Sequence, residues 1–254
     1  MQAKNYGEMQ CPIYFNDYIS ISHNVYEFDP NARYKVLTLC TEPEIIAPYD
    51  SRYFANFDLI LTNRQDILNR NENSRYMHSC TGATVEIKNN FNKLNKISYI
   101  TSSKTITNLH FLRHEIFNLL KVFKSFNDLY FTCLMTPPKI ESKNEILDEF
   151  KFSIAIENSV ETNYFTEKII DCFVTKTVPI YLGCPNIDEY FNSDGIIKFN
   201  SINDLVFILN NLTANDYERM QNAINENYEA ALRYNNFWDS LSQKINDYFY
   251  NKGE

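Results

Sequence analysis

The chain has 254 residues and a mass of 30.0 kDa, which is enough for one large domain or two small ones with buried cores. Its residues are 44% hydrophobic and 22% charged, a globular composition that excludes a fibrous or disordered chain. With 24 basic and 32 acidic residues the formal net charge is −8, which disfavours nucleic acid as a partner.

The first hundred residues contain three short apolar runs that predict buried strands. They are residues 34–40, 57–62 and 96–101. Pro43 and Pro48 keep the segment after the first of these strands in a loop. Residues 69–73 are polar and predict a second surface loop.

The later residues alternate between strand and helix patterns. The predicted strands are 128–135 (ended by Pro137 and Pro138), 152–156, 178–182 and 196–199. The predicted helices are 109–126, one that starts at about Thr166, 201–212, 216–234 and 236–250. Such alternation indicates parallel βαβ layers in an α/β protein. We expect two doubly wound domains, 1–100 and 101–254, with helix 236–250 packed either back on the first domain or within the second.

The cysteines are scattered, with neither a C-x-x-C pair nor histidines at zinc-ligand spacing. They are Cys11, Cys40, Cys80, Cys133, Cys172 and Cys184. We expect free, mostly buried thiols in a reducing compartment. No signal peptide is visible in residues 1–10, and no apolar stretch is long enough for a transmembrane segment. The expected localisation is therefore cytoplasmic or otherwise soluble.

The most informative segment is 152–186, which predicts a strand, a polar loop, a helix, a strand and a turn. The loop places Glu157, Asn158 and Ser159 at the carboxyl end of a parallel strand, where α/β sheets bind ligands. Thr166 is a good N-cap, and Lys168 falls in the first helical turn, where the helix dipole disfavours a cation. A bound anion such as a diphosphate would explain that lysine. An ordinary helix start is the alternative.

This segment resembles the donor-binding signature of the α-1,3-fucosyltransferases of glycosyltransferase family 10. The matching elements are Phe152, Glu157-Asn158-Ser159, Tyr164-Phe165-Thr166-Glu167-Lys168-Ile169, Val178-Pro179-Ile180 and Gly183-Cys184-Pro185-Asn186. About 35 residues agree in order and spacing with the signature. Asn163 stands where the family usually has Asp, and residues 191–195 lack the usual Pro and Ser.

The resemblance implies a GT-B architecture, with two Rossmann-like domains facing a cleft and the nucleotide sugar held by the C-terminal one. It implies the donor-binding residues Arg113, Asn158, Tyr164, Glu167 and Lys168. Arg113 and Lys168 would clamp the diphosphate together. From the residues alone, Arg113 also fits a surface arginine.

Two histidines near Arg113, His110 and His114, are expected to be exposed helix residues without a catalytic role. No D-x-D triplet occurs in the chain. Because cationic side chains and a helix start can supply the charge that a diphosphate needs, we expect a metal-independent reaction with no cofactor beyond GDP-fucose as donor substrate.

An inverting transfer needs a carboxylate that takes the proton of the acceptor hydroxyl. Residues 39–44 resemble the family's T-G-E-N-E-like sequence, which makes Glu42 the implied general base and Glu44 the alternative.

The implied function is an inverting glycosyltransferase that moves fucose from GDP-fucose to a hydroxyl of a carbohydrate acceptor. Two alternatives stay open: the same fold with another nucleotide sugar, and a non-catalytic protein that binds nucleotide sugars or glycans. A screen of nucleotide sugars separates the first alternative, and donor binding without turnover would identify the second.

Overall fold

The computed structural model describes residues 12–136 and 142–250. The strands in these residues are β1 Ile13–Asn16, β2 Ile19–His23, β3 Tyr34–Leu39, β4 Leu59–Thr62, β5 Ser74–Tyr76, β6 Leu94–Ser102, β7 Ser125–Phe126, β8 Leu129–Thr136, β9 Phe150–Ile156, β10 Val178–Leu182 and β11 Ile197–Lys198. The α-helices are α1 Gln65–Arg70, α2 Asn108–Leu120, α3 Asn144–Leu147, α4 Glu167–Val174, α5 Ile202–Asn211, α6 Ala214–Arg219, α7 Gln221–Leu232 and α8 Phe237–Phe249.

The chain divides into two compact units, and the division differs from the predicted one. One unit runs to Ser79 and resumes at Trp238, and the other is Cys80–Phe237. The predicted boundary near residue 100 would cut β6, which pairs with β8 and β9 in the sheet of the second unit. The division therefore lies upstream of that strand.

The first unit is built on a five-stranded sheet in the order β1-β2-β3-β4-β5. Strands β2 to β5 are parallel, and β1 is antiparallel to β2. Leu37 from the central strand β3 and Ile60 from the neighbouring β4 are fully buried and pack with Phe54 and Ile67. Part of 69–73, predicted as a loop, belongs to α1, which is only six residues long and too short for a readable apolar period.

Helix α8 contacts strands of the first unit. The ring centroids of Phe249 and Tyr34 lie 4.5 Å apart, and the guanidinium carbon of Arg75 lies 5.1 Å from the ring centroid of Tyr248. Leu241 and Ile245 line the buried face of the helix. The amphipathic helix α8 thus packs against the sheet of the first unit.

The second unit contains a six-stranded sheet in the order β11-β10-β9-β6-β8-β7, parallel except for β7. Strand β9 lies between β6 and β10, and all of its residues are buried, including Lys151 and Ser153. The carboxyl end of β9 is followed by a loop of residues 157–166, and then by α4 and β10. This crossover positions the candidate site.

Two predicted helices of this unit differ in the structure. The helix predicted over 109–126 ends at Leu120, and Ser125 and Phe126 form β7 instead of its last turn. Asn127, with a left-handed φ of 51°, lies in the turn that pairs β7 with β8. The helix predicted over 216–234 is interrupted at Met220 and forms α6 and α7. Pro137 and Pro138, predicted to end β8, lie outside the described residues.

The thiols match the expectation in the part of the chain that the structure describes. Cys40, Cys80, Cys172 and Cys184 are free and buried, and Cys133 is free and half-buried. Cys11 lies outside the described residues. Within the described ranges no helix has the length and apolarity that crossing a membrane requires.

Candidate functional site

Glu157 is the first residue after β9 and its side chain is completely buried. Its backbone N–H donates to the carbonyl of Leu182 over 2.9 Å, which continues the pairing with β10 beyond the end of the strand. Gly183 leaves the room for this carboxylate, since a Cβ at that position would lie 2.4 Å from Cγ of Glu157. The pairing with β10 and the small residue at 183 thus allow one carboxylate to be buried at the start of the polar loop.

That carboxylate is bound by the N-terminus of α4. The backbone N–H of Thr166 donates to Oε1 of Glu157 over 2.9 Å, and the Thr166 hydroxyl donates to Oε2 over 2.7 Å. The Thr166 hydroxyl also accepts from the backbone N–H of Lys168, as expected of an N-cap. Thr166 thus joins Glu157 to the first turn of the helix.

Lys168 turns its ammonium group back toward the same N-terminus. Nζ donates to Oγ1 of Thr166 and to Oε1 of Glu167, both over 2.9 Å, and lies 3.5 Å from Oε2 of Glu157. The sequence argument required an anion to explain a lysine in this first turn. The structure supplies two anions from the chain itself, Glu157 and Glu167.

The electrostatics of the pair follow from this geometry. Burial acts to raise the pKa of Glu167, but the charges of Lys168 and Lys143 and the hydrogen bonds from Lys168 and Thr166 lower it to about 2. Burial acts to lower the pKa of Lys168, but Glu167 and Glu157 raise it above its ordinary value. Both side chains are therefore charged at neutral pH.

Arg113 comes from α2 and is buried, with 5% of its surface exposed. Its Nη2 donates to the carbonyl of Ile156 and, over 2.9 Å, to Oδ1 of Asn158. Burial lowers the pKa of Arg113, and Glu157 opposes that shift. The surface-arginine interpretation is therefore wrong, since this guanidinium lies inside the carboxyl end of β9.

The structure brings Arg113 and Lys168 together at consecutive residues of one loop. Arg113 binds Asn158, and Lys168 lies against Glu157. The two cations also repel each other, since the charge of Arg113 acts to lower the pKa of Lys168. Two cations that start from different helices thus converge where β9 ends.

Asn163 and Asn186 hold the loop before α4 in place. Asn163 has a left-handed φ of 64°, which asparagine tolerates better than most residues. Its Oδ1 accepts from Nδ2 of Asn186 and from the hydroxyl of Tyr190, each over 2.7 Å. Tyr164, the next residue, is fully buried. The family resemblance marked Asn163 only as a departure, and its spacing to Asn186 gave no sign of the pairing.

His110 is a residue that the sequence analysis misjudged. It is 1% exposed, and its Nδ1 accepts from the backbone N–H of Thr107 over 3.1 Å, so that the proton of the neutral ring is on Nε2. Burial, followed by the charges of Arg113, Lys104 and Lys168, lowers its pKa to about 4. A capping pattern, Thr107-x-x-His110, is the signal that would have found it.

His114 is half-buried, and its Nε2 lies 3.1 Å from the carbonyl of Ser102. The expectation of two exposed histidines is therefore wrong for both residues.

The candidate base lies in the first unit, in the loop after β3. Glu42 is half-buried and Glu44 is exposed. The Glu42 carbonyl accepts from Nη2 of Arg64 over 3.3 Å. The Glu42 backbone is thus bonded to a buried side chain, and the described residues show no such bond for Glu44.

A family model described as "Glycosyltransferase family 10 (fucosyltransferase) C-term" matches residues 92–235, which is more than half of the chain. The chain belongs to glycosyltransferase family 10. The matched range contains β9, α4 and the residues that bind Glu157 and Asn158. The family resemblance drawn from the sequence is thereby confirmed.

Among curated relatives, an alpha-(1,3)-fucosyltransferase FucT of Helicobacter pylori is 39% identical over 59 residues, 23% of this chain and 12% of the relative. The similarity to such relatives thus spans a small part of their length. A crystal structure of an alpha1,3-fucosyltransferase with GDP-fucose superposes with a TM-score of 0.55 at 19% identity, covering 92% of this chain and 80% of that one.

A crystal structure of TarM has a TM-score of 0.56 at 13% identity, covering 90% of this chain and 54% of that one. At these identities the likeness concerns the fold, and the expected GT-B α/β class is confirmed. Among the described residues, no group of three histidine, cysteine, aspartate or glutamate side chains is arranged to hold a metal ion.

Proposed function

We propose that this protein transfers fucose from GDP-fucose to a hydroxyl group of a carbohydrate acceptor, with inversion at the anomeric carbon. Family membership and the similarity to fucosyltransferases support the reaction class. The observation that carries the proposal is the convergence of Arg113 and Lys168 on Asn158 and Glu157 at the end of β9. A sheet edge of this kind is where open α/β folds bind nucleotides.

In this proposal the second unit binds the donor. Arg113 and Lys168 offset the negative charge that develops on the departing diphosphate, which is the largest electrostatic demand of the reaction. Glu167, ionised at neutral pH, offers oxygens to hydroxyl groups of the donor. Asn158 and Tyr164 complete the donor-binding set, Asn158 through the amide that Arg113 holds.

The transfer step balances with one protein carboxylate that acts as the general base. The acceptor oxygen attacks the anomeric carbon, the bond between that carbon and the diphosphate oxygen breaks, and GDP leaves with the bonding electrons. Glu42 accepts the acceptor proton, with Glu44 as the alternative. The half-buried position of Glu42 and the bond from Arg64 to its carbonyl favour Glu42, because a base must be held in one orientation.

The charge on the leaving group is met by side chains in this scheme. Two cations and the N-terminus of α4 supply positive charge that many glycosyltransferases take from a divalent ion. We therefore propose a metal-independent reaction. Unchanged turnover after chelation with EDTA would agree with it, and loss of turnover restored by Mg²⁺ or Mn²⁺ would contradict it.

The test is turnover of GDP-fucose, by transfer to a panel of carbohydrate acceptors and by hydrolysis, in wild type, Glu42→Gln and Glu44→Gln. We expect Glu42→Gln to lose at least 100-fold in kcat while Glu44→Gln stays within threefold, since general-base catalysis contributes about 10²–10⁴-fold. Equal losses would reject the assignment of the base. NMR of donor and product gives the anomeric configurations, and retention would reject inversion.

Two further outcomes correspond to the alternatives. Stabilisation by UDP-, CMP- or dTDP-sugars in a thermal-shift screen, without stabilisation by GDP-fucose, would indicate another donor in the same fold. Binding of GDP-fucose with no turnover on any acceptor would indicate a protein that binds the nucleotide sugar without catalysis.

A further inference from the structure

Arg64 is a buried cation in the first unit, with 6% of its surface exposed. It directly precedes α1, which begins three residues after the end of β4. No carboxylate of the described residues forms an ion pair with it, and its Nε and Nη1 have no hydrogen-bond partner in that part of the chain. A buried charge without a counter-ion lowers the stability of the fold, so other contacts of Arg64 must offset its desolvation.

The contacts of Arg64 are to a single loop, the one that follows β3. Nη2 donates to the carbonyl of Ala47 over 2.6 Å and to the carbonyl of Glu42 over 3.3 Å. The guanidinium carbon lies 5.1 Å from the ring centroid of Tyr49. One planar cation therefore bonds to the backbone at both ends of the turn and stacks on the residue beyond it.

The same loop is closed internally and tied to α1. The backbone N–H groups of Ile46 and Ala47 each donate to the carbonyl of Pro43 over 2.9 Å. The hydroxyl of Tyr49 donates to Asp66 of α1, and this bond is the first cause that raises the pKa of Tyr49 to about 12. Tyr49 thus stays protonated, and its ring remains available to Arg64.

We propose that Arg64 is the positioning residue of Glu42: it fixes the backbone of the base and thereby the direction of its carboxylate. This inference rests on the proposed function, in which Glu42 takes the acceptor proton. Lysine is a poor replacement for arginine here, because an ammonium group has no planar face that stacks on the ring of Tyr49 while the same side chain donates to the two carbonyls.

Arg75 provides a matched control in the same unit. Its Nη1 donates to the carbonyls of Glu72 and Ser74, over 2.9 and 2.7 Å, and its guanidinium carbon lies 5.1 Å from the ring centroid of Tyr248. Arg75 is exposed and none of these contacts involves the loop after β3. Arg64→Lys and Arg75→Lys therefore remove the same kind of contacts at two places.

The first measurement is hydrogen exchange of the loop amides, followed by mass spectrometry of peptides that cover residues 41–49. Arg64→Lys is expected to speed exchange at Ile46 and Ala47 at least tenfold and to leave β3 and β4 protected. Arg75→Lys is expected to leave the loop as in wild type. An unchanged loop in Arg64→Lys would overturn the anchoring role, whatever the activity.

The second measurement separates positioning from general stability. Arg64→Lys is expected to lower kcat 10- to 100-fold with the KM for GDP-fucose within twofold, and Arg75→Lys to change neither. In the Glu42→Gln background, Arg64→Lys is expected to cost nothing further, because the group that it positions is already gone. A full additional loss in that background would overturn the inference.

A wild-type chain that turns over no GDP-fucose would instead overturn the proposed function, and with it the catalytic meaning of Arg64. The exchange comparison would then still decide whether Arg64 holds the loop. The failure of the inference and the failure of the function are thus distinguishable.

Discussion

Asn163 and Asn186 bond to each other in both directions. The backbone N–H of Asn163 donates to Oδ1 of Asn186 over 2.8 Å, and Nδ2 of Asn186 donates to Oδ1 of Asn163 over 2.7 Å. The pair joins the loop before α4 to the turn after β10. Since Tyr164 and Thr166 follow directly, the pair fixes the entry to the helix that carries Lys168.

Replacing Asn186 should therefore affect the donor site. We expect Asn186→Ala to destabilise the protein by about 1–3 kcal/mol, because it removes one hydrogen bond from the buried backbone N–H of Asn163 and one from its side-chain oxygen. We also expect the KM for GDP-fucose to rise several-fold. Chemical denaturation and steady-state kinetics measure the two effects.

Asn227 offers the control for this variant. It is fully buried and binds Asn192 in the same reciprocal way, accepting from its N–H over 2.7 Å and donating to its carbonyl over 2.9 Å. Asn227→Ala should lose similar stability with an unchanged KM. Equal KM values in both variants would contradict a role of Asn163 and Asn186 in donor binding.

Glu157 should be essential for the order of the α4 N-terminus. Glu157→Gln keeps the shape but removes the charge that faces Lys168, and it places an amide group against a donor on Thr166. We expect a loss of about 1–3 kcal/mol in the free energy of unfolding and a lower pKa of Lys168. Denaturation, and NMR titration of the Lys168 ammonium group, measure these effects. A stability equal to wild type would show that the buried carboxylate does not hold the N-cap residue Thr166 in place.

Glu167 predicts a defined dependence of stability on acid. Its pKa is about 2 in the folded protein and about 4.5 when unfolded, so the unfolded chain binds the proton first as the pH falls. The stabilising contribution of Glu167 is complete above pH 4.5 and is lost between about pH 4.5 and 2. The difference in unfolding free energy between wild type and Glu167→Gln should therefore shrink by about 1–2 kcal/mol over that window. A constant difference would contradict the ion pair with Lys168.

A second ion pair distinguishes buried from exposed charge. Asp171 is 1% exposed and accepts from the N–H and the hydroxyl of Thr84, each over 2.6 Å, and from Nζ of Lys143 over 2.7 Å. Asp171→Ala should cost about 2–5 kcal/mol, since it leaves several donors unpaired. Asp188→Ala removes an exposed partner of Lys198 and should cost less than about 1 kcal/mol. Thermal denaturation compares the two, and equal shifts would contradict the ranking.

The fold was predictable where local pattern determines structure. A short, mainly apolar run predicts strand β9, and one helix-capping residue, Thr166, predicts the start of α4. Strands β1 and β5 and helix α1 are four, three and six residues long, so that their formation depends on pairing and packing that no short window of sequence contains. Local sequence therefore predicts the central strands better than the edges.

The site shows the same limit. Its residue types were readable from the segment 152–186, because family motifs preserve order and spacing. The partners of these residues were not predictable. Arg113 binds Asn158, which lies 45 positions later in the chain. Lys168, for which the sequence suggested a bound anion as partner, lies against the carboxylate of Glu157. Such contacts depend on packing between segments that are far apart in the sequence. The burial that results also lowers the pKa of His110 and keeps its ring neutral.

The central claim is that Arg113 and Lys168 receive the diphosphate of the leaving nucleotide. Isothermal titration of GDP and of guanosine against wild type, Arg113→Lys and Lys168→Met measures it most directly, with circular dichroism to verify folding. We expect both variants to bind GDP about 10- to 100-fold more weakly and guanosine as wild type does, since each charge-assisted contact is worth about 1.5–3 kcal/mol. Wild-type affinity for GDP in both folded variants would contradict the claim.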